Sequence, residues 1–142
     1  MTVQKLMTRH PITVAPGDTV ADAFGLMLRH DIHELPVLDG ERLVGILTRR
    51  DLQIAIGPAS RRLDPDELSE AELAGEVGAL RTEDVQTISE HESAATAARL
   101  LVSLRVGALP VVDLRGRLCG ILSVSDLLSA AAPLFERADG HR

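Results

Sequence analysis

The sequence predicts an α+β fold: two β-α-β-β-α repeats, related by a pseudo-twofold axis, packed through their sheets. The first observation behind this is internal repetition. A shift of 74 residues places Thr13 on Thr87, Leu35-Pro36-Val37 on Leu109-Pro110-Val111 and Asp39 on Asp113. The second is a shared ending, Gly-Ile-Leu-(Thr/Ser)-x-x-Asp, which runs from Gly45 to Asp51 and from Gly120 to Asp126, the shift becoming 75 after Asp113. An insertion at that point suits a hairpin turn. The third is size: each copy, roughly 50 residues on its own, buries too little apolar surface to be stable, whereas two copies packed together share a core.

Taken in order, Ile12-Thr-Val14 reads as a short strand followed by the turn residues Ala15-Pro-Gly-Asp18. Thr19 is a good N-cap, and Val20, Ala23, Phe24, Met27 and Leu28 form one apolar helical stripe behind it. Copy two repeats this with Ser93 ahead of Ala94, Ala97, Ala98, Leu101 and Val102. Two strands follow, Leu35 to Leu38 and Leu43 to Leu47, joined through the hairpin Asp39-Gly-Glu-Arg42, and the second feeds a helix from about Arg49 to Ile56. The expected divisions are repeat one at 1–57, an acidic helical linker at 58–76, repeat two at 77–132 and a C-terminal tail at 133–142. Gly57-Pro-Ala-Ser60 should break the third helix and Asp64-Pro65 start the linker helix, a solvated segment carrying six acids and no base between Leu63 and Leu80.

Composition narrows the function. Hydrophobic residues make up 45% and charged residues 25%, a globular balance that argues against a disordered or fibrous chain. A net charge of -6 and the absence of a basic block argue against nucleic acid as a partner. With two Phe and neither Trp nor Tyr, a base-binding pocket must have aliphatic walls. No apolar run is long enough to insert in a membrane, and the opening residues lack the apolar core of a signal peptide, so a cytoplasmic location is expected. Cys119, the only cysteine, lies in an apolar run and reads as a small buried hydrophobe.

The chemistry gathers at Thr48-Arg-Arg-Asp51 and Ser123-Val-Ser-Asp126, where a strand turns into a helix. A first helical turn has unpaired N–H groups and the positive end of the dipole, which suits a phosphate, and the hydroxyl of Thr48 or Ser123 adds a donor. Asp51 and Asp126 would repel a phosphate and fit two ribose hydroxyls instead. The same pattern is also a capping box, as in Thr19-Val-Ala-Asp22, and needs no ligand. Gly45 and Gly120, which would let a ligand approach the strand backbone, together with recurrence in both copies, favour a ligand. His30 and His33, with Asp31 and Glu34, lack a further cluster to complete a metal site, so no metal is expected. Nor does the repeat bring together a Ser-His-acid or Cys-His set, so no catalysis is expected.

Three segments in order, Met7-Thr-Arg-His-Pro-Ile-Thr-Val14, His33-Glu-Leu-Pro-Val37 and Gly45-Ile-Leu-Thr-Arg-Arg-Asp-Leu52, resemble a CBS domain, the motif named after cystathionine beta-synthase. Asp84 to Ile88, Gly107 to Val111 and Gly120 to Leu127 resemble it again, so the chain resembles a tandem pair, or Bateman module, over residues 3 to 132. The resemblance implies AMP, ADP, ATP or S-adenosylmethionine held in clefts between the repeats as a regulatory ligand, with no required cofactor. It also implies an energy-sensing homodimer acting in trans on an unidentified enzyme or transporter. The nucleotide-binding residues it implies in site one are Ile12, Thr13, Val14, His33, Leu35, Pro36, Thr48, Arg50 and Asp51. In site two they are Thr87, Ile88, Ala108, Leu109, Pro110, Ser123 and Asp126. Thr13, Val14, Leu35 and Pro36 would meet the adenine, Asp51 the ribose and Thr48 the phosphate. Site one should be the more basic, with Arg49, Arg50, His33 and His10 standing where copy two has Val124, Ser125, Gly107 and Asp84. Arg81 and Val85, in place of Met7 and Pro11, weaken the opening motif of copy two. The other expectation is a homodimeric interaction module whose pockets are vestigial.

Overall fold

A computed structural model describes residues 1–56, 74–81 and 84–140. The expected break at Gly57–Ser60 and the helix start at Asp64-Pro65 lie outside the described residues. The elements are α1 (Val3–Leu6), β1 (Thr8–Arg9), α2 (Val20–His30), β2 (Glu34–Asp39), β3 (Arg42–Thr48), α3 (Arg49–Ile56), a 3-10 turn (Val77–Ala79), β4 (Ile88–Ser89), α4 (Ala94–Leu104), β5 (Ala108–Val112), β6 (Leu118–Ser123) and α5 (Val124–Gly140). They form two compact units, Ile12–Val85 and Met1–Pro11 with Gln86–Arg142. The mixture of helix and sheet, repeated once, is the expected α+β fold.

In the first unit, α2 begins at Thr19, whose hydroxyl accepts the N–H of Asp22 while the Asp22 carboxylate accepts the N–H of Thr19. Val20, Ala23, Phe24 and Met27 bury its inner face, and Leu28, at the edge of the stripe, stays 49% exposed. The helix stops at Asp31, in the left-handed region at φ 51°. β2 and β3 pair antiparallel, Leu35 opposite Leu47 and Glu34 opposite Thr48, turning at Gly40 with φ +64°. Alternation sends Leu35, Val37 and Leu47 into the core beside Phe24, Met27 and Leu52.

Ile12 and Thr13 were expected in a strand with Val14, but only Val14 joins the sheet. It donates to the Pro36 carbonyl at 3.0 Å and accepts from the Leu38 N–H at 2.9 Å. The next bond of a parallel ladder would need an N–H from Pro36, which has none, so the strand ends there.

The second unit repeats this plan. Ser93 caps α4 through the Thr96 N–H, and Ala97 and Leu101 are buried while Val102 is 78% exposed. Its sheet has the order β1-β6-β5-β4, with β4 parallel to β5 and the other pairs antiparallel. The extra residue of copy two lies in the longer β5–β6 connection, where Asp113 accepts the N–H groups of Arg115 and Arg117 at 2.8 and 3.0 Å. Those bonds hold the Asp113 carboxyl below its ordinary pKa. Residues 133–140, expected as a tail, continue α5 through Pro133 to Gly140.

The segments ahead of the two copies are exchanged. Met1–Pro11 precedes copy one but belongs to the unit of copy two, and residues 74–81 serve copy one. The bonds match at the 74-residue shift: Ala94 N–H to Met1 carbonyl at 2.9 Å and Val20 N–H to Gly75 carbonyl at 2.8 Å, Gln4 N–H to Glu90 carbonyl at 3.0 Å and Gly78 N–H to Pro16 carbonyl at 2.9 Å. The described non-glycine residues with positive φ obey the same shift, His10 with Asp84 and Asp31 with Arg105.

Candidate functional site

Each strand–helix junction carries the same three hydrogen bonds. At the first, Thr48 N–H donates to Asp51 Oδ2 at 2.8 Å, Asp51 N–H to Thr48 Oγ1 at 3.0 Å, and Arg49 N–H to the His33 carbonyl at 2.9 Å. At the second, Ser123 N–H donates to Asp126 Oδ2 at 2.8 Å, Asp126 N–H to Ser123 Oγ at 3.1 Å, and Val124 N–H to the Gly107 carbonyl at 2.9 Å. The capping-box geometry is therefore present in both. It leaves each hydroxyl its proton to donate, and Asp126 Oδ1 has no hydrogen-bond partner among the described residues. Of the first-turn N–H groups, those of Arg50 and Ser125 stand outside these bonds.

The other expected residues divide by face. Leu35 and Leu109 are buried in their cores, so a ligand can meet their backbone and not their side chains. The Val14 N–H is bonded to the Pro36 carbonyl and its own carbonyl accepts from Leu38, so what Val14 keeps for an adenine is the second lone pair of that carbonyl. Pro36 shares the strand face of Glu34 and Thr48, opposite the core, and Pro110 shares that of Ala108 and Ser123. Thr13 and Ile12 are half-buried beside Val14, Ile88 is buried in β4 and Thr87 is exposed just before it.

The bases expected at site one differ in burial and in the unit they belong to. Arg50, His33 and His10 are exposed, and His10 falls in the compact unit of copy two. Arg49 Nε is buried with no hydrogen-bond partner among the described residues. Arg81, expected to weaken copy two, instead closes copy one: its Nε donates to the Val44 carbonyl at 3.1 Å and its Nη1 to the Gly78 carbonyl at 2.9 Å. Gly120 also has a different reason than ligand access. A Cβ there would stand 2.5 Å from Met7 Sδ and 2.9 Å from the Thr8 carbonyl, so the missing side chain admits the exchanged segment.

One residue absent from the expected site is placed beside it. Glu34 lies directly opposite Thr48, half-buried, and burial raises its pKa despite the opposing influence of His33. The hairpin register, legible once Asp39–Arg42 is taken as the turn, was the signal for it. Cys119 is half-buried, 3.4 Å from the Val111 carbonyl and 3.6 Å from Glu90 Oε2. Burial, with the charge of Glu90, pushes its thiol up to about 11, so it is protonated at neutral pH and no nucleophile. Among the described residues no group of three or more His, Cys, Asp or Glu side chains could hold a metal ion, and no helix is long and apolar enough to cross a membrane.

A duplicated β-α-β-β-α unit with a hydroxyl–carboxylate pair at each strand–helix junction defines a tandem repeat module. The family model described as CBS domain matches residues 3–57 and 76–133, and the chain belongs to that family. It is 33% identical over 136 residues to a CBS domain-containing protein of Dictyostelium discoideum, covering 94% of this chain and 93% of that one. It is 34% identical over 125 residues to an inosine-5'-monophosphate dehydrogenase of Methanocaldococcus jannaschii, covering 87% of this chain but 22% of the enzyme. Among solved structures it is similar to a putative acetoin utilization protein of Vibrio cholerae, with TM-score 0.78 and 29% identity, covering 99% of this chain and 96% of that one. It is similar also to CBSX2 in complex with AMP, with TM-score 0.76 and 31% identity, covering 94% and 97%. The fold is thus that of a CBS pair, a regulatory rather than a catalytic type of module.

Proposed function

We propose that the chain is a non-catalytic sensor of adenosine compounds, AMP, ADP, ATP or S-adenosylmethionine, held at the two strand–helix junctions. The observation that carries this is the hydroxyl–carboxylate pair repeated with the same bonds at Thr48/Asp51 and Ser123/Asp126. The AMP complex of CBSX2, 31% identical, supports the ligand class. Each carboxylate has one oxygen engaged as a cap, and accepting from a ribose hydroxyl would add a charge-assisted bond of roughly 1.5–3 kcal/mol. Pro36 and Pro110 lie on the same strand faces as the hydroxyls but are buried, so an adenine would meet the strand backbone there rather than the proline rings. Thr48 and Ser123 donate to a 5′ substituent.

A ligand that prefers one conformation shifts the population toward it, and a cytoplasmic enzyme or transporter regulated in trans would read that shift as an energy signal. A homodimer belongs to the same proposal. Leu128, Leu134 and Phe135 on α5 are 60%, 52% and 62% exposed, and such side chains are what an interface covers. Titration calorimetry with the four compounds tests the ligand: binding that is lost in Asp51→Ala combined with Asp126→Ala supports the proposal, and no heat with any of them overturns it. Light scattering tests the dimer.

A further inference from the structure

The two junctions share their bonds but not their neighbours. Arg49 N–H donates to the His33 carbonyl, which makes 33/49 a hydrogen-bonded pair and Glu34/Thr48 the closer, non-hydrogen-bonded kind. Side chains directly opposite in such a pair stand on one face, with Cβ atoms about 4.5–5.5 Å apart. Leu35 and Leu47 occupy the core face, so Glu34 and Thr48 project from the other. Copy two has Ala108 opposite Ser123.

Among the described residues the Glu34 carboxylate has no hydrogen-bond or ion-pair partner, although it is half-buried. Its raised pKa is what burial without a donor produces, and among the described residues His33 is the charge that acts on it. Neither Arg49 nor Arg50 does. A half-buried acceptor with no donor is best satisfied by a ligand that brings one.

We infer that Glu34 sets the charge selectivity of the first junction: it disfavours adenosine compounds with a phosphate at the 5′ position and favours those whose 5′ substituent is a cationic donor. Ala108 leaves the second junction open to phosphate. The inference rests on the proposal that Thr48 and Ser123 face the 5′ substituent. In that arrangement a phosphate at Thr48 meets a carboxylate across the strand pair, where two like charges repel in a medium less polar than water, whereas a protonated amine meets a partner. It runs against what the more basic sequence of site one would imply for a phosphate.

The test uses the full chain and two probes, AMP and 5′-amino-5′-deoxyadenosine, titrated by calorimetry. In an Asp126→Ala background, which confines binding to the first junction, Glu34→Ala should strengthen AMP about tenfold and weaken the amine about fivefold. Glu34→Gln, which keeps the side-chain shape, should move both in the same direction. In an Asp51→Ala background, Ala108→Glu should produce the opposite change at the second junction. If the AMP-to-amine ratio moves less than threefold in Glu34→Ala and Glu34→Gln while both probes still bind, the inference fails and the adenosine proposal stands. If neither probe binds any variant, both fail.

Discussion

Val3 and Val77, 74 residues apart, each lie fully buried in the core of the copy that does not follow them in sequence. Val3 donates its N–H to the Glu92 carbonyl at 2.8 Å, and Val77 donates to the Asp18 carbonyl at 2.8 Å. Leu6 and Leu80, three residues on, pack partly against the same two cores. Each copy is therefore completed by the strap that precedes the other. Two short helical turns could not persist without that burial, since an isolated turn costs more in chain entropy than one hydrogen bond returns.

Truncating one strap should then loosen the distant copy. Val3→Ala is expected to cost roughly 1–3 kcal/mol and to speed hydrogen exchange in α4, β5 and β6, leaving α2, β2 and β3 unchanged. Val77→Ala should show the mirror pattern. Exchange that rises around residues 12–56 in Val3→Ala would contradict the exchange of straps.

Gly120 makes a sharper case, because one of the atoms a Cβ would meet is backbone. Met7 Sδ can swing away, but the Thr8 carbonyl at 2.9 Å is fixed by the pairing of Thr8 with Ile121. Gly120→Ala should lower stability by about 1–3 kcal/mol through overpacking, read as a fall in the urea midpoint. Met7→Ala added to it should recover only part of the loss.

Glu34 gives a pH-dependent prediction with a definite sign. Its folded pKa lies above 4.5, so the native state holds the proton more tightly than the unfolded chain does. Its contribution to stability is complete below that value and is lost as pH rises through the raised one. Glu34→Gln removes the titration. The stability difference between variant and wild type, followed by urea midpoints from pH 3 to 7, should therefore shift in favour of Glu34→Gln as pH rises, and a flat difference would show that burial does not tax the carboxylate.

Cys119 should behave as a protected thiol. Its pKa of about 11 comes first from burial and then from the carboxylate of Glu90. Alkylation by iodoacetamide should be slow at pH 7 and climb toward a midpoint near 11, against 9.0 for an unperturbed thiol. Glu90→Gln should move that midpoint down.

What the sequence made legible was local. The caps at Thr19 and Ser93 and the buried positions Val20, Ala23, Phe24 and Met27 follow from spacing that one helix turn imposes. Leu28 and Val102 were read into the stripe, but at its edge the helix already faces outward. The straps were not read, because their partners lie more than 80 residues away in one case, Val3 to Glu92, although Val3 and Val77 already obeyed the 74-residue shift. Gly120 was explained by a ligand when a neighbouring segment occupies the space. Glu34 is read from the sequence beside His30 and His33 as a metal candidate and not beside Thr48, because that placement depends on strand register and not on residue type.

The junction acids combine two roles that a single substitution to alanine cannot separate. Asp51 Oδ2 accepts the Thr48 N–H at 2.8 Å, so Asp51→Ala removes a cap worth roughly 1 kcal/mol as well as the proposed ribose acceptor. Asp51→Asn keeps an oxygen for that N–H but loses the charge and replaces the other oxygen with a donor. It should therefore melt within a degree or two of wild type while adenosine binding at that junction weakens about tenfold or more, as loss of a charged acceptor implies. Asp126→Asn should do the same at the second junction, where Oδ1 has no partner among the described residues. Should Asp51→Asn and Asp126→Asn bind adenosine as well as wild type does, the carboxylates are caps alone and the ribose contact must be sought elsewhere.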